Sequence, residues 1–121
     1  MLQVCILFSG VYFSAHWCPP CRGFTPQLAE FYKAVNQDKK RFEVVFASSD
    51  RDEESFKEYF KEMPWLAIPF SENETKQKAA TKYGIRGIPT LIILKKNGEM
   101  LSNEGRGHVA GSGNKWPEQW K

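Results

Sequence analysis

Residues 17–21 read Trp17-Cys18-Pro19-Pro20-Cys21, which places two cysteines one helical turn apart. Pro19 and Pro20 have no backbone N–H, so they fit a helix only in its first turn, where these donors are not needed. A residue before proline avoids helical geometry, which makes Cys18 the capping residue of that helix. The N-terminal end of a helix stabilises a thiolate, so we expect Cys18 to be a nucleophile. The sulfur of Cys21, one helical turn later, can reach that of Cys18. We therefore expect the two to form and break a disulfide, with Cys21 as the resolving thiol.

A zinc site is the alternative use of two cysteines at this spacing. Cys5, His16 and His108 are the other candidate ligands, but a ribbon-type zinc site needs a second cysteine pair or paired histidines, and the sequence has neither. We therefore predict redox chemistry and no metal. Cys5 alternates within an apolar strand and is expected to be a buried, inert thiol. His16 either tunes the thiolate or is a plain surface residue, and His108, among glycines, is expected in a loop.

The apolar pattern on both sides of the motif predicts a strand, a helix and a second strand. Residues 4–14 are apolar, β-branched and aromatic and predict a buried strand, interrupted at Ser9-Gly10. Residues 22–36 have helical spacing of apolar side chains, and residues 42–47 predict another buried strand. The inward positions of the helix are Phe24, Leu28, Phe31, Tyr32 and Val35.

The middle of the chain predicts two more helices and an edge segment. Acidic residues 52–54 suit the N-terminus of a second helix, which Pro64 ends. Its inward positions are Phe56, Tyr59, Phe60 and Met63. Residues 64–70 are expected to be extended and buried as an irregular or edge piece. A short third helix is expected to begin with a cap at Asn73 or Thr75 and to stop at Gly84.

The last elements predict an antiparallel hairpin at one edge of the sheet. Residues 90–94 are an apolar strand, and Lys96-Asn97-Gly98 is a two-residue turn signal that leads into residues 99–101. Strands that alternate with helices and end in a hairpin predict an α/β fold with a central mixed sheet flanked by helices.

Length and composition indicate an ordinary globular domain. With 121 residues, 41% of them hydrophobic and 26% charged, the chain has room for one core, and we expect a single domain over residues 1–121. The net charge of +3 is spread along the chain, which argues against nucleic-acid binding. Three cysteines are too few for a disulfide scaffold and favour a reducing compartment. The apolar start of the chain has no preceding Lys or Arg and is too short to span a bilayer, so we expect no targeting signal and no membrane partner.

A second candidate element lies at Gly87-Ile88-Pro89-Thr90, just before the strand at residues 90–94. Proline is tolerated at the first residue of a strand, and a turn with a cis bond is one use of it. Such a bond would expose the backbone of Ile88 to an extended substrate segment near Cys18. Most bonds before proline are trans, so the residues alone leave both isomers open.

These motifs together resemble one branch of a known superfamily. WCPPC followed by RGFTPQLAEFY, then FEVVFASSDRDEESFKEYFKEMPWLAIPF and YGIRGIPTLIIL, is similar to tryparedoxins and nucleoredoxins of the thioredoxin-like superfamily, over about residues 11–103. The resemblance implies a thioredoxin-like fold in which Pro89 is the cis proline facing the dithiol. It also implies that Trp17, Ile88 and the segment around Trp65 form an apolar rim where substrates dock.

The resemblance further implies the activity and the partners. Tryparedoxins carry electrons from trypanothione to peroxidases, and nucleoredoxins reduce protein disulfides and bind signalling proteins. We therefore expect a protein-disulfide oxidoreductase of cell redox homeostasis with a redox-active Cys18–Cys21 disulfide and no cofactor. Expected partners are disulfide-containing proteins such as peroxiredoxin-type peroxidases, with trypanothione, glutathione or a reductase as electron donor. The alternative is a redox-sensitive module that binds signalling proteins. We expect a monomer in the cytoplasm or also the nucleus.

The sequence differs from many thioredoxins at one buried position and departs from the tryparedoxin and nucleoredoxin branch at its two ends. Many thioredoxins carry a buried acid six residues before the first cysteine, where this chain has Tyr12, as this branch also tends to show. The family's first strand is expected to be missing. The core is expected over residues 4–103, with an irregular tail over 104–121 in which the closing helix is missing or reduced to residues 116–120.

Overall fold

The computed structural model describes residues 4–37, 40–95, 99–102 and 105–111. Its elements, in chain order, are β1 (Val4–Ser14), α1 (Pro19–Val35), β2 (Lys40–Ser48), α2 (Glu53–Phe60), β3 (Leu66–Ala67), α3 (Asn73–Lys82), β4 (Thr90–Lys95), β5 (Met100–Ser102) and α4 (Gly105–Gly111). None of the helices in these described segments has both the length and the apolar character needed to cross a bilayer.

The five strands form one mixed sheet in the order β3-β2-β1-β4-β5. The central strand β1 runs parallel to β2 and antiparallel to β4, so that Tyr12 pairs with Phe46 on one side and with Leu91 on the other. β3 adds a parallel edge and β5 an antiparallel edge. The predicted mixed sheet is therefore confirmed, while the turn expected at residues 96–98 lies outside the described residues.

Side chains alternate between the two faces of the sheet, as the period of a strand requires. One face carries the main core, where Tyr12, Phe46 and Leu91 pack against α1 and α2. The opposite face carries Phe13 and Ile92, which pack against residues of α3. The inward stripe predicted for α1 is buried throughout, which confirms the helical spacing.

Strand β1 is continuous through Ser9-Gly10, so the predicted interruption was wrong. A Cβ atom at Gly10 would lie 3.0 Å from Leu91 Cδ1 and 3.1 Å from Phe42 Cζ. The glycine is there because neighbouring side chains on β4 and β2 fill the space above it, and the ladder continues past it. Cys5 lies on the same strand, but its side chain lies outside the described residues, so its burial stays a prediction.

A helix occupies residues 105–111, where the sequence predicted an irregular tail beginning at 104 and placed His108 in a loop. Both expectations were wrong because the helix depends on packing rather than on propensity. A Cβ atom at Gly105 would lie 2.7 Å from both Cγ and the carbonyl oxygen of Leu91, so only glycine lets α4 approach β4 this closely. Val109 is buried on the same core face. The tail positions 116–120 lie outside the described residues.

Two helix boundaries also differ from the predictions. α2 ends at Phe60, one turn before Pro64, because backbone bonds of the i to i+3 type at Glu62 and Met63 already tighten its last turn. The N-cap position of α3 is Glu72 rather than either predicted residue, and its side chain makes no capping hydrogen bond. A turn closed by the Glu72 N–H and the Pro69 carbonyl precedes the helix.

Candidate active site

The dithiol lies at the start of α1, directly after the central strand. Cys18 is the N-cap with extended backbone angles, φ −100° and ψ 109°, and the two prolines occupy the first two helical positions. The predicted capping position is thereby confirmed. Cys18 keeps 6% of its surface accessible, whereas Cys21 is fully buried behind it. Of the two cysteines, Cys18 is therefore the one that a target can approach.

The second proline element meets the dithiol from the other side. The Ile88–Pro89 peptide bond is cis, as the resemblance implied. Ile88 packs against the small cluster that Cys18, Cys21 and Ala15 form. Pro89 is buried and Ile88 is half-buried, so the side chain of Ile88 borders the place where Cys18 reaches the surface.

The chemical state of Cys21 follows from its surroundings. Burial raises the pKa of the Cys21 thiol to about 11, and the neighbouring Cys18 acts in the same direction. The polar groups of the Ser14 side chain and of the Ala15 backbone act the other way and lower the pKa. At neutral pH Cys21 is thus held as a thiol.

Four buried hydroxyl groups form a connected network beneath the dithiol. The Tyr59 hydroxyl lies 2.7 Å from Ser14 Oγ and 2.5 Å from Thr25 Oγ1. The Tyr12 hydroxyl lies 2.7 Å from Thr25 Oγ1. The Cys21 carbonyl oxygen accepts from Thr25 at 2.9 Å and from Tyr12 at 3.3 Å. The network joins β1, α1 and α2 at the point where the resolving thiol sits.

Burial raises the pKa of both network tyrosines, Tyr12 and Tyr59. Both phenols are therefore protonated at neutral pH, so Tyr12 cannot act as the proton-accepting acid whose position it occupies. Sequence reasoning placed Tyr59 in the core stripe and overlooked Ser14 and Thr25. The one sequence feature that could have indicated Ser14 and Thr25 was a hydroxyl group among apolar residues on a buried face.

A second polar contact, also overlooked, fixes the loop that leads to Cys18. The His16 backbone N–H donates to Asp50 Oδ1 at 2.8 Å, and Ser48 Oγ donates to Asp50 Oδ2 at 2.6 Å. Asp50 is buried, and its own N–H donates to Ser48 Oγ. The His16 ring stacks on Tyr59 with centroids 5.4 Å apart. His16 is therefore half-buried against Tyr59 rather than a plain surface residue, and a tuning effect on the thiolate stays a prediction.

Trp17 is the exposed aromatic beside the nucleophile. Its side chain is 55% exposed, although its indole N–H donates to the Ser49 carbonyl at 3.1 Å. The guanidinium of Arg51 lies 5.9 Å from the centre of the ring. A large apolar surface held at a fixed position next to Cys18 suits contact with a target.

Trp65 does not belong to that exposed surface, which corrects the predicted rim. It is 4% exposed and packs edge-on against Tyr12 and Tyr32, with ring centroids 6.1 and 5.6 Å away. Burial of the indole in the main core stabilises the fold more than exposure at an edge strand would. The exposed apolar residue of that segment is its neighbour Leu66.

A groove of 660 Å³ lies next to the cis peptide, and Ile88 is one of the residues that line it. Arg86 and Arg106 line it, together with Tyr83 and Pro89. The Arg106 guanidinium donates to the Pro89 carbonyl at 3.2 Å. The groove thus presents positive charge next to the cis peptide.

A metal site would need several ligating side chains in one place. Among the residues that the structure describes, no three His, Cys, Asp or Glu side chains come together as metal ligands would. Two of the candidate zinc ligands, Cys5 and His108, have side chains outside the described residues. The expectation of no metal therefore stays a prediction.

A family described as thioredoxin-like matches residues 8–100. The chain belongs to the thioredoxin-like family. It is 54% identical to nucleoredoxin of Danio rerio over 99 residues, which cover 82% of this chain and 24% of that protein. It is 44% identical to tryparedoxin of Trypanosoma brucei brucei over 112 residues, which cover 88% of this chain and 77% of that protein.

Solved structures agree with this placement. Tryparedoxin II complexed with glutathionylspermidine matches 96% of this chain and 81% of its own, with a TM-score of 0.87 and 38% identity. The predicted fold and the resemblance to both groups are confirmed. The chain spans about a quarter of the length of the nucleoredoxins it matches.

Proposed function

We propose that this chain is a protein-disulfide reductase that uses Cys18 as nucleophile and Cys21 as resolving thiol. The observation that best supports this proposal is the position of Cys18 at the N-cap of α1, with Cys21 buried behind it. Kinship with nucleoredoxins and tryparedoxins supports a thiol–disulfide oxidoreductase. Reduction of protein disulfides is the specific activity that this arrangement serves best.

In the first step the Cys18 thiolate attacks one sulfur of a target disulfide. A bond forms between Cys18 and that sulfur while the target's own S–S bond breaks. The other target sulfur leaves as a thiolate and takes a proton from water. Trp17 and Ile88 flank the attacking sulfur, and their apolar surfaces hold the target segment.

In the second step Cys21, after losing its proton, attacks the Cys18 sulfur of the mixed disulfide. The bond to the target breaks, its second sulfur leaves as a thiolate, and that thiolate takes up the equivalent of the proton that Cys21 released. Two electrons have then passed from the dithiol to the target, and a Cys18–Cys21 disulfide remains. One dithiol molecule, or two molecules of a monothiol, must reduce this disulfide before the next turnover.

The electron donor is proposed to be a low-molecular-weight thiol of the trypanothione or glutathione type, or else a reductase. The solved tryparedoxin II complex contains glutathionylspermidine, which supports a donor of that chemistry. The groove at Arg86 and Arg106 offers cations that can bind the carboxylates of such a donor. Such a cycle needs a reducing compartment, and we propose the cytoplasm, with proteins such as peroxidases as targets.

Insulin-disulfide reduction with dithiothreitol as donor tests the activity directly. The wild type is expected to turn over, Cys18→Ser to be inactive, and Cys21→Ser to stop at the mixed disulfide. Replacement of dithiothreitol by trypanothione or glutathione then identifies the donor class. No activity of the intact dithiol above the dithiothreitol background would contradict the proposal.

A redox-sensitive binding module is the second candidate, and the exposed ring of Trp17 is the observation that favours it. Such a module would hold its partners equally well after Cys18→Ser. A partner that a reductase captures is held by the mixed disulfide and is released by reducing agent. Partner capture by Cys18→Ser that persists in dithiothreitol, together with an inactive wild type, would favour binding as the function. Stoichiometric zinc in the purified protein would instead indicate a metal domain.

A further inference from the structure

The groove beside the cis peptide adjoins the place where Cys18 reaches the surface. Ile88 belongs to both, because it packs against the cysteine cluster and also lines the groove. Pro89 lines the same groove, and the cis bond that precedes it lies where the two meet. An extended target segment whose cysteine reacts with Cys18 therefore continues, in one of its two directions, past Ile88 and into the groove.

The groove carries positive charge that no neighbouring acid neutralises. Arg86 and Arg106 line it, and none of its lining residues in the described part of the chain is acidic. Both arginines are exposed, and neither forms an ion pair with a carboxylate of the described residues. Their charges are therefore available to an incoming anion.

Arg106 is held in place from two sides. Its guanidinium donates to the Pro89 carbonyl at 3.2 Å and lies 5.9 Å from the centre of the Phe24 ring. A guanidinium has five N–H donors, so the bond to Pro89 leaves most of them for a ligand. Because the side chain is already ordered, it loses less conformational entropy when it binds a carboxylate.

Arg86 lies on a short loop that is fixed at both ends. At the start of the loop, the Ile85 N–H donates back to the Ala80 carbonyl at 2.9 Å, which closes the end of α3. At its other end, Thr90 Oγ1 donates to the Gly87 carbonyl at 2.7 Å. The backbone that carries this arginine is therefore set by the fold before any target arrives.

We propose that this groove is a specificity subsite that selects protein disulfides with an acidic side chain close to the reactive cysteine. This inference rests on the proposed reductase function and names the class of its target. A carboxylate of the target pairs with Arg86 and Arg106 while the target cysteine forms its mixed disulfide with Cys18. Arginine suits this task, because its planar fork of N–H groups matches the two oxygens of a carboxylate.

Peptide disulfides with varied neighbours of the cysteine test this preference. Each substrate is a short peptide with blocked ends whose single cysteine is joined by a disulfide to mercaptoethanol. One peptide carries Glu at the second and third positions on both sides of the cysteine, another its neutral counterpart Gln, and another Lys. Dithiothreitol is the donor, since it is uncharged and does not compete for the arginines. The rate of each peptide with dithiothreitol alone corrects for its intrinsic reactivity, and chromatography at low ionic strength gives kcat/KM.

The wild type is expected to reduce the Glu peptide with a corrected kcat/KM about fivefold above that of the Gln peptide, and added salt should narrow the difference. Arg86→Glu should prefer the Lys peptide to the Glu peptide, and Arg106→Gln should bring the ratio of Glu to Gln close to one. Lys33→Gln is the matched control, because it removes one exposed positive charge from the last turn of α1, at the end away from Cys18. Its ratio is expected to equal that of the wild type.

Equal corrected values for the Glu and Gln peptides in the wild type would overturn the subsite. A preference that either arginine variant keeps, or that Lys33→Gln also loses, would overturn it as well. If Arg106→Gln does not fold, Arg86→Glu decides the question by the same ratio. A wild type that reduces none of the three peptides above the dithiothreitol background would instead overturn the reductase function itself.

Discussion

The His16 backbone N–H and the Asp50 carboxylate are joined by a 2.8 Å hydrogen bond between the loop before the dithiol and the loop after β2. Asp50 is buried, and Ser48 Oγ occupies its second oxygen. Next to this bond the Trp17 indole N–H donates to the Ser49 carbonyl. The two loops are thus held together at His16 and Trp17, the two residues that precede Cys18.

Replacement of Asp50 tests how much this contact contributes to the stability of the fold. Asp50→Ala leaves the His16 N–H and the Ser48 hydroxyl without their acceptor, and we expect a loss of about 2–3 kcal/mol in the free energy of unfolding. Asp50→Asn keeps one oxygen for His16 and an amide that can donate to Ser48 Oγ, so its loss should be smaller. Urea denaturation measures both variants. Equal losses for Ala and Asn would show that the hydrogen bonds are not what Asp50 contributes.

Two glycines of α4 make a matched pair for the packing of that helix. A Cβ atom at Gly105 would lie 2.7 Å from Leu91, whereas one at Gly107 meets nothing within 4 Å. Gly105→Ala is therefore expected to destabilise the protein by about 1–3 kcal/mol through overpacking. Gly107→Ala should stabilise it by about 0.5–1 kcal/mol, because alanine is the better helix former. Thermal unfolding of the two variants gives the comparison, and a similar effect at both positions would contradict the role assigned to Leu91.

The sequence predicted best what is determined locally. Two consecutive prolines can lie only in the first turn of a helix, so the motif alone assigns the preceding Cys18 to the N-cap. The stripe from Phe24 to Val35 was equally clear, because one helix face meets one sheet face. Such features need no knowledge of distant residues.

What the sequence did not predict depends on contacts between distant segments. Ser14 and Tyr59 are 45 positions apart, and nothing near either residue indicates that their hydroxyls meet. α4 is rich in glycine and has poor helix propensity, yet it forms where Gly105 fits against Leu91. Trp65 was assigned to the apolar rim by the resemblance to the family, but the neighbouring Tyr12 and Tyr32 enclose it.

Trp17 and Trp65 provide a test of which tryptophan contacts targets. Trp17→Ala should change the free energy of unfolding by less than about 1 kcal/mol but reduce kcat/KM for insulin about tenfold, because exposed tryptophans contribute strongly to binding. Its rate with the small dithiobis(nitrobenzoate) should change little. Trp65→Ala should lose about 3–5 kcal/mol of stability as a core truncation.

Trp65→Phe is the milder companion variant, because the Trp65 indole N–H has no hydrogen-bond partner among the described residues. Its remaining loss should reflect ring size alone. Denaturation and insulin reduction, measured on the same preparations, separate the two roles. A folded Trp65→Phe protein with a tenfold loss in kcat/KM for insulin would return Trp65 to the substrate rim.

The raised pKa of Cys21 predicts how the stability of the reduced protein depends on pH. Burial shifts this pKa from 9.0 to about 11, so the folded state holds the proton more tightly than the unfolded state does. The resulting stabilisation is complete below pH 9 and is lost as the pH rises from 9 to about 11. We expect the loss to be about 1–2 kcal/mol, less than for a fully desolvated thiol, because nearby solvent screens the charge. Urea denaturation in that pH range, with Cys21→Ser beside the wild type, measures it: the serine variant should lack this part of the decline, and parallel curves for the two proteins would contradict the assignment to Cys21.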